Sequence, residues 1–507
     1  MERGWERRWV WALALVAVAA GVLRLLPLLR SGGAFAYPVD YDEGVYFSAT
    51  SLFFRGHWPY RDFVFVHPPG SIWLWGPAAL YGSWTGVDSG FALARWMATV
   101  CGALSVLLAG RVASRVWGPV AGIVAALVYA SYPEAVLVER GPFLEPLLNL
   151  ACLAGANAWL AEPRAGREEP KWLLAGVFFG LAISVKVLGG IWLVAALLAR
   201  SPWPDWKAHL GLVLAVGGTL TVLVAPFALK APSEFVSQVF IFHAMRPADG
   251  DLSQLGRLHE LFHERRLVGM GLSLLGLILV AVRAFRTAEP TRPGERLLAV
   301  AYILTISAFL STPSYWSQYN TYLAASESIL AGMGAAAVYQ WVESWQPNLG
   351  AFVAVILAVA VVLPTVEYLR EGLRPKAPEQ VAMGRYIRET VPRSKQLFAF
   401  EPHLGLAAGR LPPVIPGAPL VVDPYAVMIR GALMSGASFT QTQEVFRTEA
   451  SQQALRELLA KCDFVVVGWR GEMQLNDESK QWLHAHFVRR YPAAGEVGPD
   501  LWEQVSH

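Results

Sequence analysis

The chain has 507 residues, of which 54% are hydrophobic and only 16% are charged, and its mean hydropathy is +0.39. A soluble globular protein carries about 25% charged residues, so this composition excludes a soluble protein and indicates an integral membrane protein. The net charge of +3 is too small to indicate nucleic-acid binding, and three cysteines provide no disulfide framework.

The first apolar run, from about Trp9 to Leu29, is long enough to predict a transmembrane helix. Arg3, Arg7 and Arg8 precede it, and they predict a cytoplasmic N-terminus because short cytoplasmic segments are enriched in basic residues. The run lacks a small-residue cleavage site, so we expect it to be retained and not removed as a signal peptide.

A long loop on the outer side follows the first helix. Within it, four apolar residues recur at the spacing of one helical face: Val45, Ala49, Leu52 and Phe53. They predict an interfacial helix with its apolar face in lipid. Pro68 and Pro69 suit the start of a second short helix, from Ser71 to Tyr81, which is too short to span and is predicted to be interfacial or re-entrant.

Ten further apolar runs follow along the chain, at about 91–110, 119–138, 143–161, 172–185, 187–199, 208–229, 267–282, 297–311, 322–341 and 349–368. Two of these runs could be one helix, Trp172–Ala199, but Lys186 would then lie at bilayer depth at a cost of about 2.5–3.5 kcal/mol. Two short helices with Lys186 at their outer turn avoid this cost.

The charges of the connecting loops favour the same interpretation. With two helices there, the most basic loops all face the cytoplasm: Arg111/Arg115, Arg164/Arg167/Lys171, Arg200/Lys207 and Arg283/Arg286/Arg292/Arg296. The sequence therefore predicts a polytopic α-helical membrane protein with about eleven transmembrane helices and two interfacial helices, and it places the chain after Leu369 on the outer side.

From about Arg370 the composition changes to that of a soluble domain. The predicted elements are helices at Ala377–Thr390, Ser451–Ala460 and Glu478–Arg489, and strands at Gln396–Phe400 and Asp463–Val467. This alternation predicts a small α/β domain. We therefore expect a transmembrane catalytic domain at 1–369 and an extracytoplasmic domain at 370–507.

Two adjacent carboxylates open the predicted helix of the first outer loop. Carboxylates beside a membrane are costly unless they face water, a cation or a substrate. Asp42 is predicted to be a catalytic base and Glu43 its partner, although both could simply cap the helix. Asp40, just before them, is interpreted as a solvated loop residue.

The predicted topology places further polar side chains on the same outer face, namely Arg95, Arg140, Glu145, Lys186, His67 and Tyr319. Charged residues from distant parts of the chain, with Arg95, Arg140 and Lys186 among them, thus gather at one membrane surface, and this clustering makes them functional candidates. Structural alternatives exist for each: an interface anchor for Arg95, a mutual ion pair for Arg140 and Glu145, an internal hydrogen bond for His67 and a belt aromatic for Tyr319. Three other histidines, His243, His259 and His263, show no metal-ligand spacing and are interpreted as structural.

The acidic pair, the interfacial helices and the His67-Pro-Pro sequence together resemble the GT-C glycosyltransferases. The resemblance is greatest to the protein O-mannosyltransferase and aminoarabinose-transferase group, over roughly residues 1–370. Arg95 stands where that family keeps an arginine. Arg140 is followed five positions on by Glu145 and then a proline, with glutamate replacing the usual aspartate. Lys186, followed by two glycines, resembles the family's lysine-bearing hairpin.

The resemblance implies an inverting glycosyltransferase of the inner membrane that takes a sugar from a polyprenyl-phosphate lipid and passes it to an acceptor hydroxyl on the outer face. Asp42 would deprotonate the acceptor, and cations would hold the leaving phosphate. Glu43 would either orient Asp42 or bind a divalent metal, and no other cofactor is expected. The acceptor could be protein, lipid or glycan.

Two other functions remain open at this point. One is an outer-face ligase or phosphotransferase that moves a larger lipid-linked group with similar residues. The other is a lipid flippase or transporter, which is less favoured because the sequence shows no internal repeat and gathers its charges at one face.

Overall fold

The computed structural model describes residues 2–30, 40–161, 171–200, 206–249, 253–262, 266–286, 291–372, 378–492 and 498–505. Arg164, Arg167 and His263 lie outside these described residues.

The described part up to residue 372 is helical, with short connections. Its helices are α1 (Glu2–Arg30), α2 (Tyr41–Phe53), α3 (Gly70–Thr85), α4 (Val87–Trp117), α5 (Pro119–Ala130), α6 (Pro133–Val138), α7 (Glu145–Trp159), α8 (Lys171–Val185), α9 (Gly190–Leu198), α10 (Trp206–Leu223), α11 (Ala225–Lys230), α12 (Pro232–Val236), α13 (Phe242–Met245), α14 (Gln254–Leu261), α15 (Leu267–Phe285), α16 (Pro293–Ser311), α17 (Asn320–Trp345) and α18 (Leu349–Gly372).

Each of the eleven predicted apolar runs falls on one of these helices or on two consecutive ones. Within the described residues, five helices are long and apolar enough to cross a membrane by themselves: α1, α4, α10, α15 and α16. Shorter apolar helices lie in α5, α8, α9 and α18. Large apolar side chains such as Leu15, Leu214 and Ile278 are exposed on the outside of the helical assembly, as expected for a surface that faces lipid. The predicted polytopic α-helical membrane fold is confirmed.

The helix break predicted at Lys186 is confirmed. Helix α8 ends at Val185, Lys186 has an extended backbone, and a 3₁₀ turn at Val187–Gly189 leads into α9. The turn packs so closely that a Cβ on Gly189 would lie 2.5 Å from the backbone of Ala182. Glycine is required here because the two backbones meet without room for a side chain.

The first predicted interfacial helix forms as α2, but its apolar face does not lie in lipid. Val45, Ala49 and Leu52 are buried inside the protein, because α2 is covered by α3, by α4 and by a helix of the C-terminal part. The prediction of a lipid-facing surface is therefore wrong. The second predicted helix forms as α3 and begins, as expected, directly after the two prolines.

The C-terminal part carries a small sheet and several short helices. Its elements are α19 (Pro378–Thr390), β1 (Leu397–Ala399), α20 (Pro402–Ala407), α21 (Pro424–Met434), α22 (Thr442–Phe446), α23 (Glu449–Leu459), β2 (Phe464–Val467), α24 (Trp469–Gln474), α25 (Asp477–His486), β3 (Phe487–Tyr491) and β4 (Asp500–Gln504). The strand order is β1-β2-β4-β3, with β1 and β2 parallel and the other neighbours antiparallel. Met383, Leu404 and Val466 contribute to a core between the sheet and α19–α20.

One predicted element of this part is wrong at its end. The helix expected at Glu478–Arg489 stops at His486, and Phe487–Tyr491 forms strand β3 instead. The reason is tertiary: β3 pairs with β4, and the ladder hydrogen bonds outweigh the helical preference of the isolated segment.

The contact between α2 and α20 provides the first test. A Cβ on Gly44 would lie 2.7 Å from the Cα of His403, so Gly44→Ala should force the C-terminal part away from α2 and lower stability by about 1–3 kcal/mol. Thermal unfolding of the detergent-purified protein measures this loss. Gly217→Ala in α10 is the matched control, since its Cβ meets nothing within 4 Å. Equal stability of the Gly44 variant and the control would contradict the close packing.

Candidate active site

A cavity of about 70 Å³ lies where α2, the segments that precede α14 and α17, and the C-terminal part meet. Its wall comes from α2 and the 65–67 segment, from residues 242–249, from the turn before α17, and from α21 and α24. The lining includes Tyr41, Asp42, Tyr46, His67, His243, Arg246, Asp249, Gln318, Tyr319, Asp423 and Arg470. The cavity is therefore polar.

Asp42 lines this cavity from the first turn of α2. Asp40 precedes the helix, and its side chain accepts a hydrogen bond from the backbone N–H of Tyr41 at 2.5 Å, so Asp40 is the N-cap of α2 and not a solvated loop residue. With this role filled by Asp40, the Asp42 carboxylate is available to the cavity, where its Oδ2 accepts a hydrogen bond from Gln318 Nε2 at 2.9 Å.

The surroundings of Asp42 make it a base suited to neutral pH. Burial and, to a smaller extent, the Asp40 carboxylate raise the pKa of the Asp42 carboxyl to about 7, while the Arg470 guanidinium opposes the shift. A general base works best when its pKa lies near the working pH. Asp42 can therefore both lose and regain a proton at pH 7.

Glu43 points away from the cavity into the protein interior. Its carboxylate accepts hydrogen bonds from Arg95 of α4, at 2.5 Å from Nη2 and 3.1 Å from Nε, and both side chains are fully buried. A Cβ on Gly141 would collide with Glu43 Oε2. The pair thus fixes α2 to α4 directly behind Asp42, which suits a positioning role for both residues.

Lys186, Glu145 and Tyr319 are brought together, as their shared outer face predicts. Lys186 Nζ donates to Glu145 Oε1 at 2.7 Å and lies 4.2 Å from the centre of the Tyr319 ring, which lines the cavity. The alternative ion pair between Arg140 and Glu145 is not the arrangement found, because Glu145 is turned toward Lys186. Arg140 is buried and does not line the cavity.

His67 lines the cavity beside His243, with ring centres 5.2 Å apart. Tyr46 Oη and His67 Nε2 are 3.2 Å apart, and His243 Nε2 donates to the carbonyl of Val66 at 2.6 Å. Burial, together with the nearby cations, lowers the pKa of His67 well below its usual range and that of His243 to about 4. Both imidazoles are neutral at pH 7 and act as hydrogen-bonding groups. His259, by contrast, is exposed on α14.

Sequence reasoning missed the part of the site that the C-terminal part supplies. Asp423 caps α21 and accepts a hydrogen bond from Tyr41 Oη at 2.7 Å, and Arg470 reaches the same wall from α24. Arg246, in the long outer loop, pairs with Asp249 at 3.2 Å. Asp423 and Arg470 do not belong to any recognisable sequence motif, so the sequence around them does not indicate a functional role.

No group of three or more His, Cys, Asp or Glu side chains suited to a metal ion is found within the described residues. Glu43, for which a metal was one alternative, has its carboxylate engaged by Arg95.

Comparisons with known proteins agree with this architecture. A family profile described as dolichyl-phosphate-mannose-protein mannosyltransferase matches residues 66–229. An undecaprenyl phosphate-alpha-4-amino-4-deoxy-L-arabinose arabinosyl transferase of Pseudomonas fluorescens is 28% identical over 241 residues. That match covers 44% of this chain and only 41% of the length of the relative.

Two solved structures are similar over nearly the whole chain. Apo ArnT from Cupriavidus metallidurans superposes with a TM-score of 0.65 at 15% identity, covering 99% of this chain and 98% of that one. The oligosaccharyltransferase of Archaeoglobus fulgidus superposes with a TM-score of 0.60 at 13% identity, covering 98% of this chain and 74% of that one.

The fold is therefore that of the solved GT-C glycosyltransferases to which this chain is similar. Within that class, the sequence and structure matches confirm the resemblance to the aminoarabinose transferases that the acidic pair and the basic motifs predict.

The ion pair behind Asp42 gives the second test. Glu43→Met leaves Arg95 buried beside an apolar side chain and should lower stability by about 3–5 kcal/mol, whereas Glu43→Met/Arg95→Met removes both charges and should recover most of that loss. Unfolding of the two purified variants in detergent measures the difference. A double variant no more stable than the single one would contradict the pairing.

Proposed function

We propose that this protein is an inverting glycosyltransferase that transfers a sugar from a polyprenyl-phosphate donor to an acceptor hydroxyl on the outer face of the membrane. The single observation that carries the proposal is the placement of Asp42. Its carboxylate, with a pKa raised to about 7, opens into a polar cavity lined by cations at the edge of a membrane helix assembly.

The chemistry is a single displacement at the anomeric carbon. Asp42 accepts the proton of the acceptor hydroxyl as its oxygen attacks, the new C–O bond forms, and the bond from the anomeric carbon to the phosphate oxygen breaks. The bonding pair leaves with the polyprenyl phosphate, which is already stable as an anion and needs no general acid. Attack opposite to the leaving group inverts the configuration.

The leaving phosphate needs positive charge more than a proton. Lys186, held by Glu145 at the break between α8 and α9, contacts the Tyr319 ring that lines the cavity. A cation in a buried site stabilises developing charge more strongly than it does in water. Neutral His67 and His243 add hydrogen-bonding nitrogens on the same wall. Arg95 supports helix α2 from behind through its ion pair with Glu43.

The names of the similar proteins support the donor class. The Pseudomonas relative is named for an undecaprenyl phosphate-linked sugar, and ArnT from Cupriavidus metallidurans is also solved bound to undecaprenyl phosphate. The matching family profile is named for a dolichyl-phosphate sugar. All three names include a polyprenyl phosphate, so we propose a polyprenyl-phosphate sugar as the donor of the present chain.

The proposal includes an orientation and a division of the chain. The basic loops favour a cytoplasmic N-terminus, which puts the cavity on the outer side of the inner membrane. Residues 1–369 form the membrane catalytic domain, and residues 370–507 form an extracytoplasmic domain that closes the cavity. The acceptor, whether protein, lipid or glycan, enters between the two.

The oligosaccharyltransferase similarity keeps the transfer of a larger lipid-linked group as the second candidate. Donors labelled separately in the sugar and in the phosphate distinguish the two. Sugar label alone in the product supports the glycosyltransferase, phosphate label in the product supports a phosphotransferase, and relocation of intact donor across a vesicle supports a flippase.

The base assignment predicts the effect of Asp42→Asn. The amide cannot accept the acceptor proton, so transfer from polyprenyl-phosphate sugars to an acceptor panel should fall by about 10²–10⁴-fold. Asp62→Asn is the control, because Asp62 pairs with Arg61 on the exposed part of the loop. Transfer by the Asp42 variant at the native rate would exclude Asp42 as the base.

The pH dependence provides a separate test. The base must be deprotonated, so kcat/KM should decline as the pH falls through about 7. Asp40→Asn keeps a good N-cap but removes a negative neighbour, which should lower the pKa of Asp42 and move this decline to lower pH. An unchanged profile in the Asp40 variant would show that the decline does not report Asp42.

A further inference from the structure

Arg470 stands in the wall that the C-terminal part contributes to the cavity. It belongs to the first turn of α24, and its side chain is 93% buried, with 7% of its surface exposed. Aromatic rings surround the guanidinium: its central carbon lies 4.5 Å from the centre of the Tyr41 ring, 5.2 Å from that of Tyr425 and 5.3 Å from that of Trp316. These rings shield the charge from water without neutralising it.

The guanidinium has no ionic partner within the part of the chain that the structure describes. No described carboxylate lies within 4.0 Å of its nitrogens, and Nε has no hydrogen-bond acceptor. Asp42 and Asp40 affect it only through longer-range attraction. A buried charge without a partner is costly, so a site that keeps one usually holds a partner during function.

The other buried cations near the cavity differ from Arg470 in this respect. Lys186 is paired with Glu145, Arg95 with Glu43 and Arg246 with Asp249. Their charges are already balanced within the protein. Arg470 is therefore the cation at this cavity with the most unused binding capacity among the described residues.

The backbone that carries Arg470 is firmly held. The buried Glu401 carboxylate accepts hydrogen bonds from the N–H groups of Gly468 at 3.0 Å, of Arg470 at 2.6 Å and of Gly471 at 3.3 Å. Glu401 directly precedes α20, the helix that packs on α2. The position of Arg470 relative to Asp42 is thus set before any ligand arrives, as binding sites require.

We propose that Arg470, with the rings of Tyr41 and Trp316, forms a subsite for an anionic group of a substrate, a phosphate or a carboxylate, bound beside Asp42. A guanidinium suits this role because its planar donors bind two oxygens of such a group at once. The assignment to a substrate depends on the proposed function, whereas the anion site itself does not. The group could come from the acceptor or from the phosphate of the donor.

Anion binding can be tested on the full-length protein in detergent with inorganic phosphate as the probe. Thermal unfolding is followed against increasing sodium phosphate, with sodium chloride at matched ionic strength as the reference, since a ligand of the folded state raises the unfolding temperature. We expect phosphate to stabilise the native chain. The control variant Arg490→Gln, which replaces an exposed arginine paired with Glu503, should be stabilised by phosphate to the same extent. Arg470→Gln should bind phosphate at least tenfold more weakly.

The variant itself should fold. Removing an uncompensated buried charge should leave the unfolding temperature without phosphate unchanged or higher, and Arg470→Lys, which keeps the charge but loses the planar fork, should bind phosphate with intermediate affinity. Phosphate stabilisation of Arg470→Gln equal to that of the native chain would overturn the proposal. So would a native chain that phosphate does not stabilise beyond the chloride reference.

The source of the anion is found with undecaprenyl phosphate as a second probe. If Arg470→Gln loses affinity for inorganic phosphate but binds undecaprenyl phosphate like the native chain, the subsite serves the acceptor. If both affinities fall together, it serves the donor phosphate. Neither measurement requires turnover, so an absence of sugar transfer with intact anion binding would count against the proposed function and not against the subsite.

Discussion

The geometry of the cavity depends on how helix α2 is clamped from two sides. On one side the buried Glu43–Arg95 ion pair fastens it to α4, and on the other Gly44 allows the backbone of α20 to approach within van der Waals contact. Asp42 lines the cavity from the first turn of this helix. Successive residues point about 100° apart around a helix axis, so the ion pair of Glu43 with Arg95 leaves Asp42, and not Glu43, facing the cavity.

The clamp also explains why the C-terminal part belongs to the site. Helix α20 covers α2, Asp423 receives the Tyr41 hydroxyl, and Glu401 orders the backbone that presents Arg470. Burial by these elements raises the pKa of Asp42, because an environment of low dielectric constant disfavours the charged carboxylate. The same low dielectric constant strengthens electrostatic interactions inside the cavity. The C-terminal part thus affects the pKa of Asp42 as well as lining the cavity.

The sequence predicted those features whose free energy depends on neighbouring residues alone. The helix break at Lys186 was predictable because burying one ammonium at bilayer depth is expensive and glycines follow it. The lipid-facing surface of α2 was predicted wrongly, since its periodicity shows that one face is buried but not whether lipid or protein covers it. Residues 487–489 became strand and not helix because β4 supplies a partner that only the fold provides. Glu145 forms its ion pair with Lys186 for a similar reason. Sequence spacing does not reveal which cation, Lys186 or Arg140, the tertiary structure brings to this carboxylate.

By itself, the sequence determined that this is a polytopic membrane protein, where most of its helices run, and that an acidic pair follows its first apolar helix. Composition, hydrophobic periodicity and the cost of burying charge are local properties, and each can be read from neighbouring residues. Only the tertiary structure decided that Asp42 faces the cavity, that Glu43 supports it, and that Arg470 stands opposite without a partner of its own. These outcomes depend on contacts such as that between Tyr41 and Asp423, which are 382 positions apart. No local pattern encodes such a contact, because it forms only when the free energy gained by burying both chain segments exceeds the entropy cost of bringing them together.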